Sequence, residues 1–187
     1  MEPNIDSEGN KEYFLNGRRH RLDGPAVEGV DGYRVWYFHG KLHRTAGPAV
    51  ECTDGHQEWH TNGRRHRVDG PAVVFASGRK EWWAHGKLHR VDGPAVERPK
   101  GGTEWYRRGK LHRTGSPAIE YEDGTTEWWE NGKFHRIGGP AVVCTDGTLY
   151  WYYNNNQYPT ANAYCVAANI TGIEKTILLL KWSTNDG

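Results

Sequence analysis

A His-Arg pair followed within a few residues by Gly-Pro-Ala, or a close variant of it, recurs six times at a constant spacing of 23 residues. The pairs are His20-Arg21, His43-Arg44, His66-Arg67, His89-Arg90, His112-Arg113 and His135-Arg136, and no insertion or deletion interrupts the series. Periodicity this strict is the mark of a repeat array, in which each small unit buries its apolar side against the next copy. Residues that recur in every copy serve the architecture first, so none of them is a natural candidate for a unique catalytic role.

The copy from Gly70 to Asp92 shows the local logic. A first strand-like run, Pro71 to Phe75, opens with a proline, which a strand tolerates at its first residue because no ladder donor is needed there. Its β-branched position recurs as Val27, Val50, Val73, Val96, Ile119 and Val142, side chains suited to a pleated, half-buried surface. A turn follows at Gly32, Gly55, Gly78, Gly101, Gly124 and Gly147, preceded by Asp31, Asp54, Asp123 and Asp146 and elsewhere by Ser77 and Lys100. Asp-Gly between such runs predicts a type I′ hairpin turn, with positive φ at both central residues. The return run carries Trp36, Trp59, Trp82, Trp105, Trp128 and Trp151, with Tyr13 in the same register at the start. A second turn uses Gly17, Gly40, Gly63, Gly86, Gly109 and Gly132, with Asn155 in the seventh register, and Asn is the next-best residue for left-handed backbone. The segment from this turn to the next Gly-Pro links successive hairpins, either as a plain connection or with a short pairing of its own.

These units predict an all-β repeat: an elongated, twisted antiparallel β-hairpin array or a flattened β-solenoid, with Trp and Val as its internal ladder. Twelve or thirteen strands at ~4.8 Å would span roughly 60 Å. Six repeats and a partial seventh occupy residues 12–158, after a polar segment at 1–11 that is free to fray. A C-terminal cap follows at 159–187. There, Thr160 reads as the N-cap of a short helix, and Thr171-Gly-Ile-Glu174 as a capping box before Lys175 to Trp182. Residues 175–182 are short enough to form a final strand instead.

Composition narrows the function classes. Nine Trp, ten Tyr and four Phe supply apolar area to a chain that is only 36% hydrophobic, since a buried aromatic removes roughly 150–250 Å² from water. With 24 basic and 23 acidic residues, no global field favours nucleic acid or an anionic membrane. Three cysteines, Cys52, Cys144 and Cys165, form an odd set behind an N-terminus without a secretory pattern, which points to a reducing cytoplasm. Cys52 and Cys144 hold the same repeat position four units apart, on the order of 38 Å at two strands per unit, too far for a disulfide. No run approaches the ~20 apolar residues of a membrane span.

The unit resembles the MORN repeat through Asn131-Gly132-Lys133-Phe134-His135, Asp123-Gly124 and their equivalents between about residues 12 and 155. It departs from that pattern in the Arg after each His, in Gly-Pro-Ala, and in a longer interval from His to Asp-Gly, so it is a variant unit. The resemblance implies an elongated β scaffold for protein binding and assembly, with a link to phospholipids in some members. The longer tracts are also similar to repeat proteins of bacteriophages and large DNA viruses, which implies a host protein as target.

Candidate chemistry is sparse. Successive His residues of the phrase are expected roughly 9–10 Å apart, too far to share a zinc ion, and His56 and His60 would lie ~13 Å apart along a strand. No metal, cofactor or catalytic residue is expected. Each His is expected to fix a turn, and each Arg to stack on a Trp or pair with a Glu; Glu12, Glu58, Glu81, Glu104 and Glu127 precede the aromatic, and Glu28, Glu51, Glu97 and Glu120 follow the Val or Ile. The variable residue after each Trp is Tyr37, His60, Trp83, Tyr106, Trp129 or Tyr152, and by alternation it points away from the Trp. Either the sheet is buried on both sides, or this line, sharpened by Arg107, faces a protein partner. The alternative is an anionic ligand, such as a phospholipid headgroup, a nucleotide or nucleic acid, held by Arg44, Arg67, Arg90 and Arg113. An enzyme would need a non-repeating pocket, near Tyr158, Tyr164 and Cys165.

Overall fold

A computed structural model describes residues 2–182. Its main element is an antiparallel sheet of 15 strands, ordered so that each strand lies beside its predecessor in the sheet, and two short helices follow it. The all-β repeat with a helical cap is therefore the fold, and the sheet is not closed. Two units divide the chain, the first running to Arg90 and including Ala95–Pro99, the second comprising Val91–Pro94 and the residues from Lys100 onward.

In the first unit the sheet strands are only two residues long: Val27–Glu28, Arg34–Val35, Val50–Glu51, Gln57–Glu58, Val73–Val74, Lys80–Glu81 and Val96–Glu97. The expected run from Pro71 to Phe75 contracts to Val73–Val74, and the return run splits at its Trp. Glu58 pairs with Val73 in the sheet, while His60–Thr61 pairs with Arg64–Arg65 in a separate two-stranded ribbon. Trp59 is the pivot between them: its N–H donates to Ala72 O at 2.8 Å, and its carbonyl accepts from His66 N–H at 3.0 Å. The linker thus forms its own pairing in every copy, with ribbons at Phe14–Arg19, Tyr37–Leu42, His60–Arg65 and Trp83–Leu88. In the second unit they lie at Tyr106–Leu111 and Trp129–Phe134.

The two turns exchange the roles expected of them. Positive φ at both central residues, the signature of a type I′ turn, occurs at Asn62 and Gly63, with φ of 51° and 81°. At Asp54-Gly55 only Gly55 is positive, at 91°. There Gly55 N–H donates to Cys52 O at 3.2 Å and Cys52 N–H to His56 O at 2.9 Å, the pattern of a three-residue loop with a left-handed closing residue. The aspartate instead caps that loop, its Oδ1 accepting His56 N–H at 2.8 Å.

The buried spine also differs from the expected Trp–Val ladder. Ala26, Ala49, Ala72, Ala95, Ala118 and Ala141 are all 0% exposed, whereas the Trp residues from Trp36 to Trp128 are half-buried. Val73 lies in register with Glu58 and Glu81, so Val shares its face with Glu. Trp59, one residue on from Glu58, points to the opposite side.

The segment 1–11, expected to be free to fray, is ordered over its described part by a hairpin in which Asn4–Ile5 pairs with Lys11–Glu12. Asp6 accepts the N–H groups of Glu8 and Asn10 at 2.9 Å each, and buried Asn10 receives Val30 N–H at 3.1 Å. The sheet edge is thereby reduced to two residues, which limits pairing with other chains.

At the other terminus, α1 (Ala161–Ala167) starts at Thr160, whose Oγ1 accepts Ala163 N–H at 3.1 Å. The second helix, α2 (Gly172–Trp182), settles residues 175–182 as helical; residues 183–187 of the expected cap lie outside the described residues. Tyr164 and Cys165 are fully buried with Trp151, Ala161 and Leu178. The Tyr164 hydroxyl donates to Arg136 O and accepts Gly138 N–H at 3.2 Å, locking the cap onto the last His-Arg phrase.

A larger side chain has no room on the alanine spine, and overpacking of this kind costs about 1–3 kcal/mol. Ala72→Leu is expected to lower the urea midpoint by a corresponding amount with the m-value unchanged.

Candidate functional site

The repeated phrase is consumed by the fold. Arg44 lies with its guanidinium carbon 3.6 Å from the centre of the Trp36 ring and donates to Pro48 O at 3.0 Å and to Glu51 Oε1 at 2.6 Å. Arg67, Arg90 and Arg113 stack at 4.0, 4.1 and 4.0 Å on Trp59, Trp82 and Trp105. Their carboxylate partners are Asp69 at 2.9 Å, Glu97 at 2.7 Å and Glu120 at 2.7 Å. The proposed anion row is therefore engaged inside each copy. The stack also explains the glycine that precedes proline: a Cβ on Gly70 would stand 3.1 Å from the Arg67 guanidinium carbon. In the fifth copy Ser116 takes that place.

The histidines tie one copy to the next. His20, His43, His66, His112 and His135 each accept, through Nδ1, the backbone N–H of the residue 19 positions later, at 3.0–3.4 Å. An imidazole that accepts at Nδ1 carries its proton on Nε2. The donor in each case is the first left-handed residue of the following ribbon turn: His39, Asn62, His85, Asn131 or Asn154.

The expected aromatic face forms a second, half-buried ladder. Trp83 Nε1–H donates to Glu81 Oε2 at 2.8 Å, Trp129 Nε1–H to Glu127 Oε2 at 2.7 Å, and Tyr106 OH to Glu104 Oε2 at 2.9 Å. Three of the rings are covered by a neighbouring copy: Arg19 lies over Tyr37, Arg65 over Trp83, and Phe134 stacks on Tyr152 with ring centres 4.6 Å apart. Tyr152 also donates to Gln157 Oε1 at 3.3 Å. Arg107 alone of the expected set is exposed. Double-sided burial thus accounts for the aromatics on both faces.

His60 is the irregular member. Its ring is buried, with Nε2 at 2.7 Å from Glu58 Oε2 and Nδ1 without a partner among the described residues. Glu58 also meets His56 Nε2 at 3.2 Å and Arg65 at 2.8 Å. This cluster holds the Glu58 carboxyl down at about 2, first through the His60 hydrogen bond and then through Arg65 and His56, against the opposing effect of burial. No group of three His, Cys, Asp or Glu among the described residues is arranged to hold a metal ion.

Three surface features remain outside this internal bonding. The third residue of the phrase stands in water, and in four of the six copies it is apolar, with Leu22 82%, Val68 90%, Val91 85% and Ile137 74% exposed; Thr45 and Thr114 take the place in the other two. Arg18, Lys41, Arg64 and Lys87, one per ribbon of the first unit, are exposed and make no ion pair among the described residues. In the second unit a cleft of about 500 Å³ opens between the loop at Arg113–Pro117 and the loop at His135–Ile137, with Trp128 in its wall. The sequence alone marks none of the three, although the third position is legible as one of the variable residues of the phrase.

The cysteines are free, and burial, followed by nearby Asp54, pushes the Cys52 thiol up. No helix among the described residues is long and apolar enough to cross a membrane.

Two pH dependences follow from this geometry. The folded Glu58 value lies below the ordinary 4.5, so its contribution is complete above that value and is lost as pH falls toward 2, on the order of 3 kcal/mol in all. The stability gap between the native chain and Glu58→Gln is expected to narrow over this window in urea titrations. His66 is held below its usual value by burial first and then by His85, so its bond to His85 N–H contributes above ~6.5 and is lost as pH falls through the lower folded value. His66→Gln is expected to flatten that earlier step.

No protein-family model matches the chain, and no curated protein matches it in sequence.

Proposed function

We propose that this chain is a non-enzymatic repeat scaffold that holds another protein, through the exposed loops of its repeats. The observation that carries the reading is the third residue of the phrase. His and Arg on one side of it and Gly-Pro-Ala on the other are tied into the fold, while Leu22, Val68, Val91 and Ile137 stand in water. Apolar residues exposed at this position in four copies, where Thr45 and Thr114 show that a polar one serves the fold equally well, fit a contact surface. Ile173 and Ile177 of α2, 78% and 59% exposed, add apolar surface on the cap. The resemblance to MORN units agrees with a scaffold, and a phage or viral source would place the partner in the host cytoplasm.

The fourfold variant Leu22→Ser, Val68→Ser, Val91→Ser, Ile137→Ser tests the reading, because exposed substitutions usually change stability by about 0.5 kcal/mol or less each. In affinity capture from the native host under reducing conditions, a partner identified by mass spectrometry is expected with the native chain and lost with the variant, at nearly equal Tm. Equal recovery by both would overturn it.

A second reading rests on Arg18, Lys41, Arg64 and Lys87, which replace the stacked phrase arginines as the cations free to meet an anionic ligand. Four phosphate contacts to single-stranded nucleic acid predict a slope of log K against log salt of about −3. The fourfold change to Gln should abolish that binding; a salt-independent affinity, or none, would reject it.

A further inference from the structure

Five of the six phrase arginines carry a carboxylate. Arg21 meets Asp23 and Glu28, Arg44 meets Glu51, Arg67 meets Asp69, Arg90 meets Glu97, and Arg113 meets Glu120. The acid comes from one of two places, two or seven residues after the Arg. In the sixth copy these places hold Gly138 and Val143, and Arg136 pairs with no carboxylate among the described residues. Its guanidinium lies 3.7 Å from the centre of the Trp128 ring and 5.4 Å from that of Trp182, and it donates to Pro140 O at 3.0 Å. Burial lowers its affinity for the proton, the direction expected of a cation deprived of solvent and of counter-charge.

Arg136 also lines the 500 Å³ cleft, whose walls include Arg113, Ser116, Trp128 and Glu130. One departure from the phrase lies in its wall: Gly115 stands where an aspartate occurs in three other copies, with no atom within 4 Å of the place its Cβ would take. Glu130, the acidic residue of the wall, is engaged by His135 Nε2 at 3.4 Å.

We propose that this cleft is a socket for a carboxylate side chain of an acidic polypeptide segment, which supplies to Arg136 the counter-charge that Asp or Glu supplies within the other five copies. The inference rests on the protein-binding reading and names the chemistry of the partner. A single negative charge balances the Arg136 guanidinium. A phosphate dianion would leave excess charge beside Glu130, and the internal precedents are all carboxylates, with Glu51, Glu97 and Glu120 at 2.6–2.7 Å from their arginines.

The repeat itself supplies the test, because Val143→Glu restores the acid found at this position in four other copies. The probe is the peptide acetyl-tetraglutamate amide, titrated into the isotope-labelled chain while the Arg136 Nε–H and Trp128 Nε1–H signals are followed by NMR. Saturable shifts of both are expected, at least about tenfold weaker with the tetraglutamine peptide or with inorganic phosphate, the worth of one charge-assisted hydrogen bond. Val143→Glu is expected to fold with equal or higher Tm and to lose the binding, Val143→Gln to keep it, and Arg136→Gln to lose it from the other side of the pair. Absence of saturation, equal response to glutamine, tighter response to phosphate, or native affinity in both Val143→Glu and Arg136→Gln would each overturn the socket. The titration contains no partner protein, so its failure leaves the scaffold reading to the serine variant and the capture experiment.

Discussion

The stack of guanidinium on an aromatic ring within each copy, the Tyr13 phenol in the first and an indole in the other five, is the contact on which the rest of this fold depends. It places a cation over the exposed side of a Trp that the alanine spine leaves half-covered, and such contacts gain strength as water is excluded. The same guanidinium holds the proline carbonyl four residues on, which bends the phrase back so that Ala enters the core. Glycine fits most easily under that bend, and the fifth copy accommodates Ser116 there with Arg113 still 4.0 Å from the centre of the Trp105 ring. Ser116 lines the neighbouring cleft, so a local departure from the phrase coincides with the proposed socket.

Polar groups do unusual service in so small a core. Glu58 and Glu81 sit among the valines of one face, and each is satisfied by an aromatic or imidazole donor two residues away on the adjoining ribbon. Buried charges are tolerable when every oxygen is bonded, and here the requirement fixes the angle at which each ribbon leaves the sheet. Where a Glu precedes the Trp, the residue after the Trp serves through its polar hydrogen-bonding group as much as through its ring: His60, Trp83, Tyr106 and Trp129 bridge to Glu58, Glu81, Glu104 and Glu127.

Much of this was legible in the residues. The repeat length, the roles of His and Arg, the helical cap and its Thr160 start all follow from spacing and side-chain chemistry. The turn types did not, because Asp-Gly fits both a two-residue and a three-residue hairpin loop, and the choice depends on how many residues the flanking strands leave unpaired. Nor did the identity of the spine: Ala contributes little apolar area, so attention falls on Trp, although close packing of neighbouring copies selects the smallest side chain. The orphaned Arg136 was visible only in part. The loss of Asp at residue 138 can be read from the phrase, but the significance of Val143 appears once Glu51, Glu97 and Glu120 are seen to reach back seven residues to their arginines.

The histidine link carries a consequence for how such a chain changes over time. Because Nδ1 of one copy dictates a left-handed residue 19 positions later, adding or deleting a single amino acid between them would misalign an imidazole and a turn at once, together with the contacts on either side. Small length changes are therefore filtered out, and the array can lengthen or shorten only by duplication or excision of complete 23-residue modules, each arriving with a socket for its neighbour already built in.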